Sequence, residues 1–137
     1  MEFDAQHLER LEVITKQLLV TFPRLLAIYV FGSFGTQYEN FASDIDIAVL
    51  SSKQIDKVKL WRTSQEIASQ LNRDVELIDL DAASSVFRYQ VVMTATRIYC
   101  SDVKLCDAIE NRYMSMYLRF NEERAQIIQD KRQGTHG

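Results

Sequence analysis

The sequence predicts an α+β fold: a small mixed β-sheet flanked by helices, with a long C-terminal helix. Three observations predict it. Apolar residues recur at helical spacing over residues 4–22. Short β-prone runs with two-residue alternation follow around Ile28, Ile45 and Val75. The last third of the chain then returns to helical periodicity and keeps it almost to the end.

Taken in order, Asp4 to Phe22 places Leu8, Leu11, Ile14, Leu18 and Phe22 on one helical face, with Glu9, Glu12, Lys16 and Gln17 between them. Pro23, the only proline, disfavours helix at the residue before it and sets the stop. Ile28, Tyr29, Val30 and Phe31 read as a buried strand that ends at Gly32. The polar connection Phe34 to Ser43 is expected to open with a short helix, and its Phe34, Tyr38 and Phe41 suit packing as well as base stacking. In Ser43-Asp44-Ile45-Asp46-Ile47, alternate side chains share a face, so Asp44 and Asp46 point one way and the isoleucines the other.

Asp56 to Leu71 is expected to be a helix burying Val58, Trp61, Ile67, Ala68 and Leu71, with Asn72 as its C-terminal cap, although Thr63 and Ser64 interrupt the pattern. Asp74 to Leu80 alternates again, Val75 and Leu77 on one face, Asp74, Glu76 and Ile78 on the other. Ser84 to Thr94 is expected to pack a helix through Val86, Phe87, Val91 and Val92, and Arg97 to Cys100 to be a short apolar turn or strand. Ser101 or Asp102 caps the final helix, Val103 to Lys131. Its stripe of Leu105, Ile109, Tyr113, Met116, Phe120 and Ile127 is widened by Met114, Tyr117 and Leu118, more than a small core needs and suited to a partner subunit. Residues 1–132 therefore form one domain, and 133–137 a flexible polar tail.

Composition narrows the function. Sixteen basic against nineteen acidic residues give a net charge of −3, which argues against direct nucleic-acid binding. The N-terminus is polar and acidic, unlike a signal peptide, and no apolar run approaches the ~20 residues of a membrane span. Cys100 and Cys106 lack metal-binding spacing and read as reduced thiols, and neither His7 nor His136 has a motif around it.

The chemistry sits between Leu25 and Leu50. Gly32 allows a sharp turn and a close ligand approach, and Ser33 adds a hydroxyl and backbone donors suited to phosphate oxygens. Asp44 and Asp46, side by side, repel each other unless a cation lies between them, and hard divalent ions such as Mg²⁺ favour such oxygens together with substrate phosphates.

Gly32-Ser33, ten intervening residues and Asp44-Ile45-Asp46 resemble the GSx10DxD signature of the nucleotidyltransferase superfamily related to DNA polymerase beta, and the short chain is similar to its minimal nucleotidyltransferases, the MNT proteins. The resemblance implies that ATP lies with its triphosphate on Gly32 and Ser33, and that Asp44 and Asp46 hold a pair of Mg²⁺ ions. It also implies a third carboxylate from a Val-Asp-Leu-Val-like strand. Glu76 in Val75-Glu76-Leu77-Ile78 is the candidate, one methylene longer than the family's aspartate, with Asp74 as fallback and a solvated edge charge as the plain alternative. Many MNT proteins carry an arginine just after the Gly-Ser pair. Phe34, Gly35 and Thr36 stand here, so a cation from elsewhere, such as Lys53 or Arg88, or from the acceptor protein, is left to neutralise phosphate.

Stand-alone MNT proteins pair with HEPN ribonuclease toxins. The resemblance thus implies a cytoplasmic antitoxin in a hetero-oligomer with a HEPN-family toxin, transferring AMP from ATP to a toxin tyrosine. Two alternatives stand beside it: nucleotidyl transfer to a small hydroxylated molecule, and neutralisation by binding alone.

Overall fold

In the computed structural model, which describes residues 3–40 and 43–134, the strands β1 (Leu25–Phe31), β2 (Ile45–Ser51), β3 (Val75–Asp79) and β4 (Thr96–Cys100) form one sheet in the order β3-β2-β1-β4. β1 pairs antiparallel with β2 and with β4, while β2 and β3 run parallel, so the sheet is mixed as expected. Parallel neighbours cannot be joined by a tight turn. Helix α2 (Lys57–Leu71) makes the crossover between them.

Each sheet face carries its own helical layer. Ile28, Val30, Ile45, Ile47 and Val49 pack on one face with Leu11, Ile14 and Leu18 of α1 (Ala5–Thr21) and Leu60 and Ile67 of α2. Ala27, Tyr29, Ala48 and Leu50 pack on the other with Val91 of α3 (Ser85–Thr94) and Cys106 and Tyr113 of α4 (Val103–Gly134). The helix starts follow local chemistry. Asp4 accepts from the His7 backbone, and the carboxylates of Asp56 and Asp102 and the Ser84 hydroxyl accept from first-turn amides in the same way. Asn72 ends α2 in the left-handed conformation, φ 52°.

Beyond Leu8 and Val86, which stand exposed rather than packed, three expectations change. The chain after Ser33 is a run of turns, not a helix: Gly35 has φ 79°, and the Thr36 N–H and hydroxyl both donate to the Ser33 carbonyl, at 2.9 and 2.6 Å. Phe34 is fully buried and so packs, Tyr38 is exposed, and Phe41 lies outside the described residues. In α2 the buried face is Leu60, Thr63, Ser64 and Ile67, while Val58 and Trp61 are exposed. Burial of the two hydroxyls is tolerated because Thr63 donates to the Lys59 carbonyl and Ser64 to the Trp61 carbonyl.

The third change concerns α4, which continues to Gly134, three residues past its expected end, and 135–137 lie outside the described residues. Only part of its apolar stripe meets the core. Tyr113 is buried, whereas Leu105, Met116, Phe120 and Ile127 are exposed. Among the described residues no helix is long and apolar enough to cross a membrane.

Candidate active site

Sheet register brings the acidic residues together. The β2–β3 pairing sets Asp46 opposite Glu76, on the face opposite Ile45, Ile47, Val75 and Leu77. Adjacent strands are about 4.8 Å apart, so two such side chains on one face are neighbours. Asp44 comes immediately before β2 and completes the group: one carboxylate oxygen from each of Asp44, Asp46 and Glu76 lies within 4.8 Å of the others. Asp44 and Glu76 are exposed and Asp46 is half-buried. Burial, then the adjacent Glu76 carboxylate and Asp44, push Asp46 up from 3.8 to about 6.

Gly32 closes the site from the β1 side. Its φ is +77°, and a Cβ there would stand 2.2 Å from Asp46 Oδ2. Both the turn and the carboxylate beside it require glycine. Phe31, the preceding residue, pairs with Asp46 in the ladder, so the Gly32-Ser33 turn leaves the sheet directly over the acidic group.

The loop from that turn back to Asp44 is held from behind by residues without any motif in the sequence. The Arg73 guanidinium donates from Nε to the Ser43 carbonyl at 2.9 Å, pairs with Glu39 at 2.9 Å and lies 5.2 Å from the Phe34 ring centre. Glu39 also meets His7 Nε2 at 2.6 Å, and burial costs its carboxyl less than His7 and Arg73 return, so its pKa falls. His7, assigned no role from sequence, thus both caps α1 and fastens this loop. The one local signal for Arg73 is its place just after the Asn72 cap.

The other candidates lie elsewhere. Asp74 gives its backbone carbonyl to the Ile45 N–H at 2.9 Å, but its carboxylate is outside the converging group. Lys53 sits beyond Ser51, at the opposite end of β2. Arg88 donates to the Leu80 and Asp81 carbonyls and lies over the Tyr113 ring, so its charge is already engaged. Tyr113 in turn donates to Asp81 at 2.8 Å.

Burial and the neighbouring carboxylates make Asp46 costly to ionise, which a divalent cation relieves. The all-oxygen donor set matches Mg²⁺ or a similar hard ion rather than a thiolate-seeking metal.

Comparison with known proteins agrees with this geometry. The model of the family described as polymerase beta nucleotidyltransferase matches residues 14–104. The chain is 40% identical over 119 residues to the protein adenylyltransferase MntA of Shewanella oneidensis, covering 85% of this chain and 84% of that one. It superposes on a chain of a crystal structure of a toxin–antitoxin with AMP-PNP at TM-score 0.77 and 36% identity, covering 87% of this chain and 95% of the other. A structure of the tri-AMPylated Shewanella oneidensis HEPN toxin in complex with MNT antitoxin gives TM-score 0.75 and 36% identity, covering 91% and 97%.

Proposed function

The chain belongs to the polymerase beta nucleotidyltransferase family, and from that premise we propose that it is a protein adenylyltransferase, transferring AMP from ATP to a tyrosine hydroxyl of a partner HEPN toxin and acting as that toxin's antitoxin. The observation that carries the chemistry is the convergence of Asp44, Asp46 and Glu76 beside the glycine turn. The activity of the 40%-identical relative supports the choice of AMP and of a protein acceptor. Cytoplasmic residence follows within this reading from the ATP supply it needs.

In this mechanism Gly32 lets the backbone come close to the triphosphate, and the Ser33 hydroxyl donates to its oxygens. Asp44, Asp46 and Glu76 would hold Mg²⁺, a pair of ions by the family pattern, which would offset the charge that builds up on the departing pyrophosphate. Glu76, exposed on β3, accepts the acceptor's proton. The hydroxyl oxygen forms its bond to the α-phosphorus, the bond from that phosphorus to the β-phosphate bridging oxygen breaks, and pyrophosphate leaves with the electron pair.

The test is to incubate the chain with ATP, Mg²⁺ and the purified HEPN partner and to weigh the partner by intact mass spectrometry. The expected result is added AMP with the wild type and none with Asp44→Asn/Asp46→Asn. An unmodified partner that is nonetheless neutralised would replace transfer with neutralisation by binding.

A further inference from the structure

We propose that the acceptor segment enters as an added β-strand on the free edge of β3, seated in the groove between β3 and α2. The inference rests on the adenylyltransferase reading and concerns how its protein substrate is held.

The order of parts across the sheet sets the direction of approach. The phosphate-binding turn leaves β1, Asp46 stands on β2, and Glu76 stands on β3. In-line displacement puts the attacking and leaving oxygens on opposite sides of the α-phosphorus. With pyrophosphate on the Gly32-Ser33 side, the attacking hydroxyl comes from the Glu76 side, beyond which β3 is the last strand of the sheet.

A groove of about 730 Å³ lies there, and Asp44 and Glu76 of the carboxylate group form part of its wall. Its floor is the edge of β3. Asp74 accepts from the Ile45 N–H and Leu80 donates to the Val49 carbonyl, so alternate residues from Asp74 to Leu80 face β2. Val75 and Leu77 therefore turn their N–H and C=O groups to the open edge, a template for strand addition. The α2 wall carries Trp61, which is 65% exposed. An aromatic ring of that size left open beside a free strand edge suits an anchor for an incoming chain.

Charge selects the segment. Beyond the metal-binding carboxylates, Asp74 and Asp79 line the groove, against Lys57 as the one cation among the described residues. The complementary occupant is an extended, β-prone segment of the partner in which lysine or arginine flanks the tyrosine.

Trp61 is the only tryptophan, so its fluorescence reports directly on the groove. The probe is a synthetic arginine–valine–tyrosine–valine–arginine peptide, with two variants N-methylated on one or the other alternate set of backbone amides and a third with aspartates in place of the arginines. Free tyrosinamide serves as the small acceptor.

The basic peptide is expected to shift Trp61 emission saturably and to accept AMP. One N-methylated variant should show KM for transfer raised about tenfold with kcat little changed, while the other matches the parent. The aspartate peptide should bind weakly, and tyrosinamide should accept AMP without shifting the emission. Two equally good N-methylated acceptors, or turnover of the basic peptide with unchanged Trp61 emission, would overturn strand addition while leaving the adenylyltransferase standing. AMP transfer to tyrosinamide but not to any of the peptides would likewise reject the groove alone. Absence of transfer to every acceptor, the HEPN partner included, removes the adenylyltransferase reading and this inference with it.

Discussion

Arg73 Nε donates to the carbonyl of Ser43 at 2.9 Å, one residue before Asp44, and so a side chain at the end of α2 fixes where the first carboxylate stands. The same guanidinium is 7% exposed and paired with Glu39, which the fork geometry of arginine permits and lysine does not. Arg73→Ala is expected to lower stability by about 3 kcal/mol, because it leaves Glu39 short of a partner in a half-buried position. It should weaken Mg²⁺ binding as well, and Arg73→Lys should restore stability better than metal binding. Denaturant unfolding with a parallel Mg²⁺ titration checks both; unchanged metal affinity in a folded Arg73→Ala protein would detach the loop from the site.

Removing the charge of the aspartate pair should cost the fold nothing. Asp44→Asn with Asp46→Asn eliminates mutual repulsion and the burden of ionising a half-buried carboxyl, so Tm is expected to hold or rise while metal-dependent transfer disappears. Thermal unfolding and AMP transfer measured on one preparation decide this, and retained activity in the folded double variant would exclude the pair from catalysis.

Acidity should act on the same carboxyl. Asp46 binds its proton more tightly in the folded chain, at about 6 against 3.8. Its contribution to stability is therefore present in full below pH 3.8 and is lost as pH rises through about 6. Metal binding has to displace that proton. Mg²⁺ affinity is expected to fall as pH drops below about 6, with proton release on binding that Asp46→Asn abolishes. Calorimetry in buffers of different ionisation enthalpy at pH 5.5 and 7.5 measures that proton count.

Gly32 tolerates nothing larger. With φ +77° and Asp46 Oδ2 2.2 Å from the position of a Cβ, even Gly32→Ala should displace Asp46, destabilise the fold by about 1–2 kcal/mol and weaken ATP and metal binding together. Ser33→Ala leaves the backbone amides in place and should cost transfer less. Unaltered ATP affinity in a folded Gly32→Ala protein would put the phosphate site elsewhere.

Catalysis and partner capture should separate. Glu76→Gln nearly conserves shape and is expected to slow transfer by about 10²–10⁴-fold with the complex intact. Met116→Glu with Phe120→Glu alters exposed residues of α4, and should weaken the complex while ATP and metal binding persist. Co-purification and modification assayed on both proteins distinguish the two effects.

The carboxylate cluster was legible because its determinants are local. A glycine turn, a fixed spacing and two-residue alternation single out Gly32, Ser33, Asp44 and Asp46 without knowledge of the rest, whereas Glu76 came only from the family resemblance, because its place opposite Asp46 depends on the β2–β3 pairing. The face of α2 was not, because Thr63 and Ser64 satisfy their hydroxyls on their own helix backbone and so go inside, turning Trp61 out. The fastening of the Asp44 loop was equally hidden. His7, Glu39 and Arg73 come from three separate segments, and only the tertiary fold makes them neighbours. The turns after Ser33 were misread as a helix because the sequence does not show that Gly35 takes a positive φ.

Helix α4 is 32 residues long, about 48 Å, and residues 118–131 are exposed on every side. Those 14 residues by themselves are short enough to be marginal as a helix in water without tertiary packing. This stretch, with Leu118, Phe120, Ile127 and Ile128 all exposed, is therefore expected to open at little cost. A protease that cuts opened chain is expected to take its first bite there, and limited proteolysis with the cut sites mapped by mass spectrometry checks it.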